Sequence, residues 1–431
     1  MIETLYAIYR QYPRVQTDTR QLQSGEIFFA LKGPHFNGNL FAEKALEMGA
    51  AAVVVDEPQT VTDNRIFLVP DVLEALQELA LYHRKQFTIP FLAITGSNGK
   101  TTTKELVSAV LATTFKTATT KGNLNNHIGI PLTILSIPPD AEMAVIEMGA
   151  NHQQEIASYC RYTLPTHGLI TNCGKAHLEG FGGVEGVRKG KGELFDYLRL
   201  HAGTAFVMWD YVYFHPMSSG IPTIIRYGTR DAEITGTVTG SEPYLEVSVT
   251  TDEASFPVST NLVGDYNLPN VLAAVAVGHH FGVPFEQIRQ AIEQYQPTNS
   301  RSQLISGKKN TFILDAYNAN PSSMRLAIEN FARQPHNAKY VCLGAMMELG
   351  TDSLAEHQAI VELLKQFSWT DVLLVGGDFE KTTHPYRFFA TATTAMDWLQ
   401  KQSIEDGMFL IKGSRSMRME TLMQAFEYKI T

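Results

Sequence analysis

The segment FLAITGSNGKTTTKEL (residues 91–106) joins an apolar run, a turn of small residues and the start of a helix. The turn at residues 96–99 leaves backbone N–H groups free to face phosphate oxygens, and the helix directs the positive end of its dipole to the same place. Gly99, Lys100 and Thr101 end the P-loop pattern G-x-x-x-x-G-K-[ST], although Ile94 occupies its first glycine. The segment therefore predicts a strand–turn–helix that binds phosphate, and the neighbouring motifs must decide the reaction.

The quoted segment and two further motifs supply groups that suit a nucleotide and a divalent cation. Lys100 offers a cation for the terminal phosphates, and the Thr101 hydroxyl can ligate magnesium. Glu147 ends the apolar run MAVIE, where a carboxylate could complete an oxygen site for Mg²⁺. His177 follows the predicted strand HGLIT, but a lone histidine is most often a hydrogen-bonding residue, so both roles stay open.

The basic run GVRKGKGELFDYL (residues 186–198) places Arg188, Lys189 and Lys191 at a predicted helix start. Cations at that end oppose the helix dipole. The run is therefore an anion-binding segment, a segment with one chemically altered lysine, or a solvated basic face.

Two turns near the C-terminus carry further polar groups. Asp315 ends the apolar run TFILD, a position suited to ribose hydroxyls, and is followed by Asn318 and Asn320. IKGSRSMRME (residues 411–420) has the composition of a second anion-binding turn, with ordinary turn and cap chemistry as the alternative.

Composition narrows the class of protein. The chain has 431 residues, of which 44% are hydrophobic and 18% charged, and this length predicts several domains. Acidic residues outnumber lysine and arginine by 44 to 35 without a long basic run, which argues against a nucleic-acid partner. The three cysteines form no C-x-x-C pair and the N-terminus lacks a signal-peptide pattern, so we expect a cytoplasmic protein with no membrane segment.

The alternation of strand and helix patterns predicts an α/β protein of three domains. We expect a small α/β domain at residues 1–88 and a central P-loop ATPase-like domain with a parallel sheet at residues 89–297. Alternating short runs between residues 232 and 260 predict a small antiparallel insert in the central domain. A Rossmann-like, doubly wound domain is expected at residues 298–431.

Eight ordered blocks of this sequence resemble the Mur ligase family across nearly the whole chain. They include TGSNGKTTTKE (95–105), TKGNLNNHIGIPLTIL (120–135), VIEMGANHQQEI (145–156), TNCGKAHLEGFGGVEGVRKGKGE (171–193), LVGDYNLPNVLAA (262–274) and LDAYNANPSSM (314–324). The other two are residues 17–52 and 411–420. Members of this family use a shorter phosphate loop, T-G-x-x-G-K-[ST]. The resemblance therefore accounts for Ile94 in place of the first P-loop glycine.

The resemblance implies a role for each matching residue. The expected catalytic group is Lys100, Glu147, His177 and Lys191. The expected ATP-binding set is Gly96, Ser97, Asn98, Gly99, Lys100, Thr101, Thr102, Asn267, Asn270, Arg301 and Asp315. The magnesium set is Thr101, Thr120, Glu147, His177 and Lys191, the last as the lysine that the family carbamylates with CO₂. The UDP-substrate set is Thr19, Arg20, Lys32, Asn123, Asn125 and Asn126. The C-terminal contacts are Asn318, Asn320, Lys412, Ser414 and Arg415.

The resemblance also implies a reaction. Within the family the chain is most similar to the members that use ATP and Mg²⁺ to join D-alanyl-D-alanine to UDP-MurNAc-tripeptide through an acyl phosphate, in peptidoglycan synthesis. We expect small-molecule substrates and a monomer. Two alternatives stay open, namely another Mur or folylpolyglutamate-type amide ligase and a catalytically idle nucleotide-binding relative. The third residue of the tripeptide, meso-diaminopimelate or lysine, is also left open.

Overall fold

The structure, a computed structural model, describes residues 1–298 and 300–426. Asn299 and residues 427–431, which belong to the predicted third domain, lie outside the described residues. A four-stranded, a nine-stranded and a six-stranded sheet organise the chain. We name the parts built around them the N-terminal, central and C-terminal lobes. The α/β fold class predicted from the sequence is confirmed, whereas the domain boundaries at residues 88 and 297 stay a prediction.

The N-terminal lobe has a parallel sheet in the order β1-β2-β5-β6 and a small β3-β4 hairpin. Its elements are α1 (Ile2–Gln11), β1 (Val15–Gln16), β2 (Ile27–Phe29), β3 (Lys32–Gly33), β4 (Phe36–Asn37), α2 (Ala42–Glu47), β5 (Ala52–Val55), β6 (Ile66–Leu68) and α3 (Val72–Arg84). Helix α3 ties this lobe to the central one, because the Arg84 guanidinium Nε donates to the Thr163 carbonyl at 2.7 Å.

The central lobe has the strand order β15-β14-β13-β12-β11-β10-β7-β9-β8. Its elements are β7 (Phe91–Thr95), α4 (Lys100–Ala112), β8 (Thr117–Thr119), α5 (Gly129–Leu135), β9 (Met143–Glu147), α6 (Glu155–Thr163), β10 (His167–Ile170), α7 (Leu178–Phe181), α8 (Val184–Leu200), β11 (Thr204–Met208), α9 (Phe214–Ser218), β12 (Thr223–Gly228), β13 (Ile234–Gly240), β14 (Glu246–Thr250), β15 (Ser255–Ser259), α10 (Leu268–His280) and α11 (Phe285–Gln294). Every residue of β7 and β9 is buried, as expected for parallel strands covered on both faces.

The antiparallel insert expected between residues 232 and 260 is present as β13, β14 and β15. It does not stand apart from the sheet, because β13 pairs in parallel with β12 and so extends its edge. The functional end of the sheet is formed by β7, β9 and β10, which are adjacent and parallel. Their carboxyl ends therefore meet at one edge, where the quoted motifs follow each strand.

The C-terminal lobe has the strand order β16-β17-β21-β18-β19-β20, parallel except for the β16-β17 pair. Its elements are β16 (Gln303–Ser306), β17 (Thr311–Asp315), α12 (Pro321–Arg333), β18 (Lys339–Gly344), α13 (Ser353–Leu364), β19 (Asp371–Val375), β20 (Arg387–Phe389), α14 (Ala392–Leu399) and β21 (Met408–Lys412). This is the Rossmann-like arrangement that the strand–helix alternation predicts. None of the helices within the described residues has both the length and the apolar character that crossing a bilayer requires.

One local expectation is wrong. The run Arg188–Lys191 does not start a helix, because α8 begins at Val184 and Lys191 is its eighth residue. The dipole acts mainly on the first turn, so it does not explain the chemistry of Lys191. Burial is the stronger constraint, since Lys191 is only 1% exposed.

Candidate functional site

A cavity of about 880 Å³ lies between the central and C-terminal lobes. Its central wall comes from the turns after β7, β9 and β10 and from the start of α10, and its opposite wall comes from the turn after β17 and from Lys412 at the end of β21. The predicted site residues that line it are Ser97, Asn98, Gly99, Lys100, Thr101, Thr102, Asn125, Asn126, Glu147, His177, Asn267, Asn270, Arg301, Asp315, Asn318, Asn320 and Lys412.

The turn after β7 is shaped by its glycines. Gly96 has φ +141°, and a Cβ there would lie 2.0 Å from the Thr171 hydroxyl oxygen, so a side chain cannot be accommodated. The Lys100 ammonium donates to the carbonyls of Gly96 at 2.6 Å and Ser97 at 3.2 Å. Burial lowers the pKa of Lys100 to about 8, partly opposed by the Glu147 carboxylate. The Ser97 and Asn98 N–H groups, expected to be free, donate to Asn172 instead. The donors that suit a polyphosphate are therefore the N–H groups at the start of α4, beside the Lys100 cation.

Glu147 is a buried carboxylate, 1% exposed, at the end of β9. Its Oε1 accepts from the Thr101 hydroxyl at 3.1 Å and the Asn125 amide at 2.8 Å, and its backbone N–H donates to the Thr120 hydroxyl at 3.0 Å. Its Oε2 is buried and makes no hydrogen bond within the described residues. A buried anionic oxygen without a partner is costly, so this atom is suited to a cation.

Lys191 lies just behind the cavity wall and does not line it. Its Nζ donates to the carbonyl of Ala150, a lining residue, at 2.8 Å and sits 4.8 Å from the centre of the Phe181 ring. Burial, with repulsion from Lys100, lowers the pKa of Lys191 well below its usual value of 10.5. A lysine held this way favours the neutral amine, which is the nucleophilic form.

His177 is the residue that immediately precedes α7 and has a left-handed backbone with φ +51°. Its ring Nδ1 contacts a carboxylate oxygen of Glu348, which follows β18 in the C-terminal lobe. This contact lowers the pKa of the Glu348 carboxyl. His177 is therefore fixed from both lobes at the edge of the cavity.

The asparagines around the start of α10 form a buried chain against the phosphate turn. The Asn270 amide donates to Asn267 at 2.8 Å and its oxygen accepts from the Thr103 hydroxyl at 3.0 Å. A Cβ at Gly99 would lie 2.6 Å from that same oxygen, so the glycine allows α4 and α10 to approach. These hydrogen bonds orient Asn267 and Asn270 at the cavity wall.

The C-terminal wall is built on a partly buried ion pair. Asp315 and Lys412 are directly paired in register on β17 and β21, and their charged atoms are 2.6 Å apart. Asp315 also accepts from the Ser302 backbone N–H at 3.2 Å. The amide of Asn320 donates to the Asn98 side chain at 2.7 Å, which joins this wall to the phosphate turn.

Nine predicted residues do not line this cavity: Thr19, Arg20, Lys32, Gly96, Thr120, Asn123, Lys191, Ser414 and Arg415. In the N-terminal lobe Arg20 binds Asp18 at 2.7 Å, and Lys32 is 3.0 Å from Asp56. The structure thus brings together most of the predicted nucleotide-binding and catalytic residues. It leaves three predicted UDP-substrate residues, Thr19, Arg20 and Lys32, in the N-terminal lobe.

Among the residues that contact the predicted set, Tyr317 and Glu348 were not themselves predicted. Tyr317 carries the Arg301 guanidinium 3.7 Å above its ring centre, and Glu348 contacts His177. Tyr317 lies inside the quoted block LDAYNANPSSM, so its position next to Asp315 was an available signal. Glu348 follows an apolar strand in LGAMMELG, but its partner is 171 positions away and no spacing indicates it.

Three family models match the chain in succession. They are the Mur ligase family, catalytic domain (residues 11–84), the Mur ligase middle domain (94–278) and the Mur ligase, glutamate ligase domain (300–415). The UDP-N-acetylmuramoyl-tripeptide-D-alanyl-D-alanine ligase of Escherichia coli (strain K12) is 36% identical, with 96% of this chain and 93% of the relative covered.

Two solved structures are similar along their length. MurF from Acinetobacter baumannii has a TM-score of 0.88 at 32% identity, covering 95% of this chain and 92% of that one. The MurF ligase from Thermotoga maritima in complex with ADP has a TM-score of 0.87 at 26% identity, covering 96% of each chain.

Proposed function

The chain belongs to the Mur ligase family, and from this premise we propose that it joins D-alanyl-D-alanine to UDP-N-acetylmuramoyl-tripeptide with consumption of ATP. The observation that carries the proposal is the similarity to ligases of this activity over nearly the whole length of both chains. The interlobe cavity supports it, because Lys100, Glu147 and His177 line the cavity and Lys191 lies directly behind it.

The reaction is carboxylate activation followed by amide formation. The terminal carboxylate of the tripeptide attacks the γ-phosphorus of ATP, which forms an acyl phosphate and releases ADP. The free amine of D-alanyl-D-alanine then attacks the acyl carbon, loses a proton and expels phosphate. Both steps build negative charge near the phosphates, so fixed positive groups that meet this charge lower the barrier.

The phosphate turn supplies those groups. Lys100 exchanges its contacts with the Gly96 and Ser97 carbonyls for phosphate oxygens, while the N–H groups at the start of α4 face the same oxygens. Asn267, Asn270, Arg301 and Asp315 would bind the nucleoside and its phosphates. The gap between the central and C-terminal lobes is thus the ATP site.

The donors present fit magnesium. The unpartnered Glu147 Oε2 and the hydroxyls of Thr101 and Thr120 are hard oxygen donors near the phosphate turn. No group of three or more His, Cys, Asp or Glu able to hold a metal occurs in residues 1–298 and 300–426, so phosphate oxygens would complete the coordination. When bound, Mg²⁺ supplies charge neutralisation at the phosphates. His177 and carbamylated Lys191 would serve a second ion.

Carbamylation of Lys191 accords with its surroundings. The neutral amine attacks the carbon of CO₂ and loses a proton, which converts a buried base into an anion with two oxygens. The surroundings that lower the pKa of Lys191 disfavour its ammonium form and leave the amine able to react. The product would give the cavity wall an oxygen ligand beside Ala150.

The remaining substrate contacts belong to the outer lobes. Thr19, Arg20 and Lys32 would bind the UDP end, and Asn123, Asn125 and Asn126 would contact the peptide near the cavity. Asn318, Asn320, Lys412, Ser414 and Arg415 would contact the dipeptide side. A monomer in the cytoplasm stays our prediction.

The test is release of ADP by the purified protein with ATP, Mg²⁺, UDP-MurNAc-tripeptide and D-alanyl-D-alanine, each omitted in turn. Full release is expected only with all four, with stoichiometric amide product by mass spectrometry. Separate arms replace the dipeptide with D-glutamate, diaminopimelate or a folate and glutamate. Turnover in one of these arms without turnover on D-alanyl-D-alanine would overturn the proposal, and a tripeptide ending in lysine compared with one ending in meso-diaminopimelate identifies the natural substrate.

A further inference from the structure

The imidazole of His177 is contacted by a carboxylate from the opposite lobe. His177 belongs to the turn after β10 in the central lobe, whereas Glu348 belongs to the turn between β18 and α13 in the C-terminal lobe. The ring Nδ1 and the Glu348 Oε2 are in hydrogen-bonding contact across the cleft. The Glu348 side chain remains about half exposed, so the contact is not a by-product of core packing.

The backbone on both sides is shaped for this contact. His177 has φ +51° and Glu348 has φ +62°, and a residue other than glycine adopts this region at a cost of about 1 kcal/mol. The Glu179 backbone N–H donates to the Glu348 carbonyl at 3.4 Å. Gly350 has φ +56°, and a Cβ there would lie 3.2 Å from the Cβ of Glu179. The turn at 348–350 is therefore docked on the residues that carry His177.

The carboxylate determines the hydrogen-bonding role of the ring nitrogen that faces it. A carboxylate only accepts hydrogen bonds, so Nδ1 of His177 must carry the proton that it donates. In a neutral imidazole the other nitrogen, Nε2, is then the acceptor. His177 lines the cavity, so this acceptor nitrogen, Nε2, belongs to a side chain of the cavity wall.

We propose that Glu348 is a positioning residue, which holds the Nδ1–H tautomer and the orientation of His177 when the C-terminal lobe is docked on the central lobe. This inference rests on the proposed function, in which His177 acts in ligation. It makes assembly of the site dependent on lobe docking, because the group that orients His177 arrives with the other lobe.

A second interlobe ion pair provides a matched control for weakened docking. Arg333 binds Asp265 across the same boundary at 2.8 Å, and its side chain is 57% exposed. Replacing it removes a docking ion pair and does not touch His177. The variant Arg333→Ala therefore separates weaker docking from loss of the Glu348 contact.

The test compares Glu348→Ala, Glu348→Gln and Arg333→Ala in the full-length protein. A glutamine oxygen accepts from Nδ1–H, so Glu348→Gln should restore what Glu348→Ala loses. The spectroscopic measurement is the ¹⁵N spectrum of the imidazoles with ADP bound, in which His177→Asn assigns the His177 signals. The kinetic measurement is kcat and KM for ATP in the ADP-release assay.

We expect Glu348→Ala to lower kcat by at least about tenfold with KM for ATP changed less than about threefold, as for other residues that orient a metal-binding histidine. Its His177 signals should shift to a mixture of tautomers. Glu348→Gln should keep the Nδ1–H tautomer of His177, with kcat within about threefold of the wild type. Arg333→Ala should also keep the wild-type tautomer and kcat.

Three results would overturn the inference: a wild-type tautomer and kcat in Glu348→Ala, equal losses in Glu348→Ala and Arg333→Ala, or no recovery in Glu348→Gln. Absence of ADP release in the wild type would instead overturn the proposed function. The tautomer comparison needs no ligation, so it would still decide the role of Glu348.

Discussion

Replacement of Lys191 by methionine should abolish ligation and stabilise the protein. The side chain is 1% exposed, and within the described residues its Nζ makes one hydrogen bond, to the Ala150 carbonyl at 2.8 Å. An ammonium has three donors, so this group is poorly satisfied in its buried site. Methionine has a similar length, fills the space beside Phe181 and carries no group that must be desolvated.

The magnitude follows from these contacts. Folding must either bury the Lys191 ammonium or remove its proton, and either costs several kcal/mol, of which the single hydrogen bond and the Phe181 ring at 4.8 Å return only part. The lowered pKa of Lys191 has the same cause, since burial disfavours the charged form. We expect the free energy of unfolding of Lys191→Met to exceed that of the wild type by about 1–3 kcal/mol near neutral pH.

The difference should depend on pH with a definite sign. Because the pKa of Lys191 is lower in the folded than in the unfolded chain, the folded state binds fewer protons at pH values between the lowered pKa and the usual value of 10.5. Wild-type stability therefore rises with pH in this window, by up to about 1.4 kcal/mol per pH unit, and the methionine variant lacks this contribution. The gap between the two proteins should narrow as the pH rises.

The assay is chemical denaturation of both proteins in CO₂-free buffer at two pH values, together with ADP release. Lys189→Met is the matched control, because Lys189 lies on the same helix and is exposed, so its effect should stay within about 0.5 kcal/mol. A methionine variant that is less stable than the wild type, a gap that widens with pH, or retained turnover would refute the reasoning.

Three further outcomes are expected. Lys191→Ala should release no ADP. Added acetate or propionate should partly restore ADP release, because it places a carboxylate where the carbamate would stand. Undiminished turnover of Lys191→Ala without additive would exclude the carbamate role. Glu147→Gln should keep the fold, since the amide can still accept from Thr101, but should weaken Mn²⁺ binding measured by electron paramagnetic resonance at least about tenfold; unchanged Mn²⁺ affinity would contradict a metal role for Oε2. Burial lowers the pKa of His167 from 6.5 to about 4, so its contribution to stability is complete above pH 6.5 and is lost as the pH falls toward 4. His167→Phe should therefore lose about 1–2 kcal/mol less than the wild type between about pH 7 and about pH 5, and equal losses in denaturation midpoints would speak against this account.

The sequence predicted the parts of the site that depend on strand ends. Lys100 and His177 follow β7 and β10, and Glu147 ends β9. These three strands are neighbours in a parallel sheet, so motifs scattered along the chain meet at one edge. The eight blocks also predicted the family correctly, because each block carries residues whose spacing is tied to a turn or a strand end.

Local rules failed where tertiary burial decides the outcome. Lys191 drew attention as a cation near a helix start, yet α8 begins seven residues earlier and the side chain is enclosed by the residues around Ala150 and Phe181. The motif was informative and its electrostatic interpretation was wrong. A charge pattern on a helix does not report which face another element will cover.

Contacts between elements that are distant in the chain are a second class that sequence spacing does not reveal. Asp315 and Lys412 were each noted, but their pairing follows from β17 and β21 being adjacent, although β21 is the last strand of its sheet in chain order. The pair Asn98 and Asn320 further depends on how two separately formed sheets face each other. The Asn98–Asn320 contact forms only when both lobes are folded and docked, and it joins the two walls of the proposed ATP site. Nucleotide bound in the cleft would therefore favour the docked arrangement by its greater affinity for it, and the same docking brings Glu348 to His177. On the proposed function, nucleotide binding and the positioning of His177 by Glu348 would therefore be coupled through docking of the two lobes.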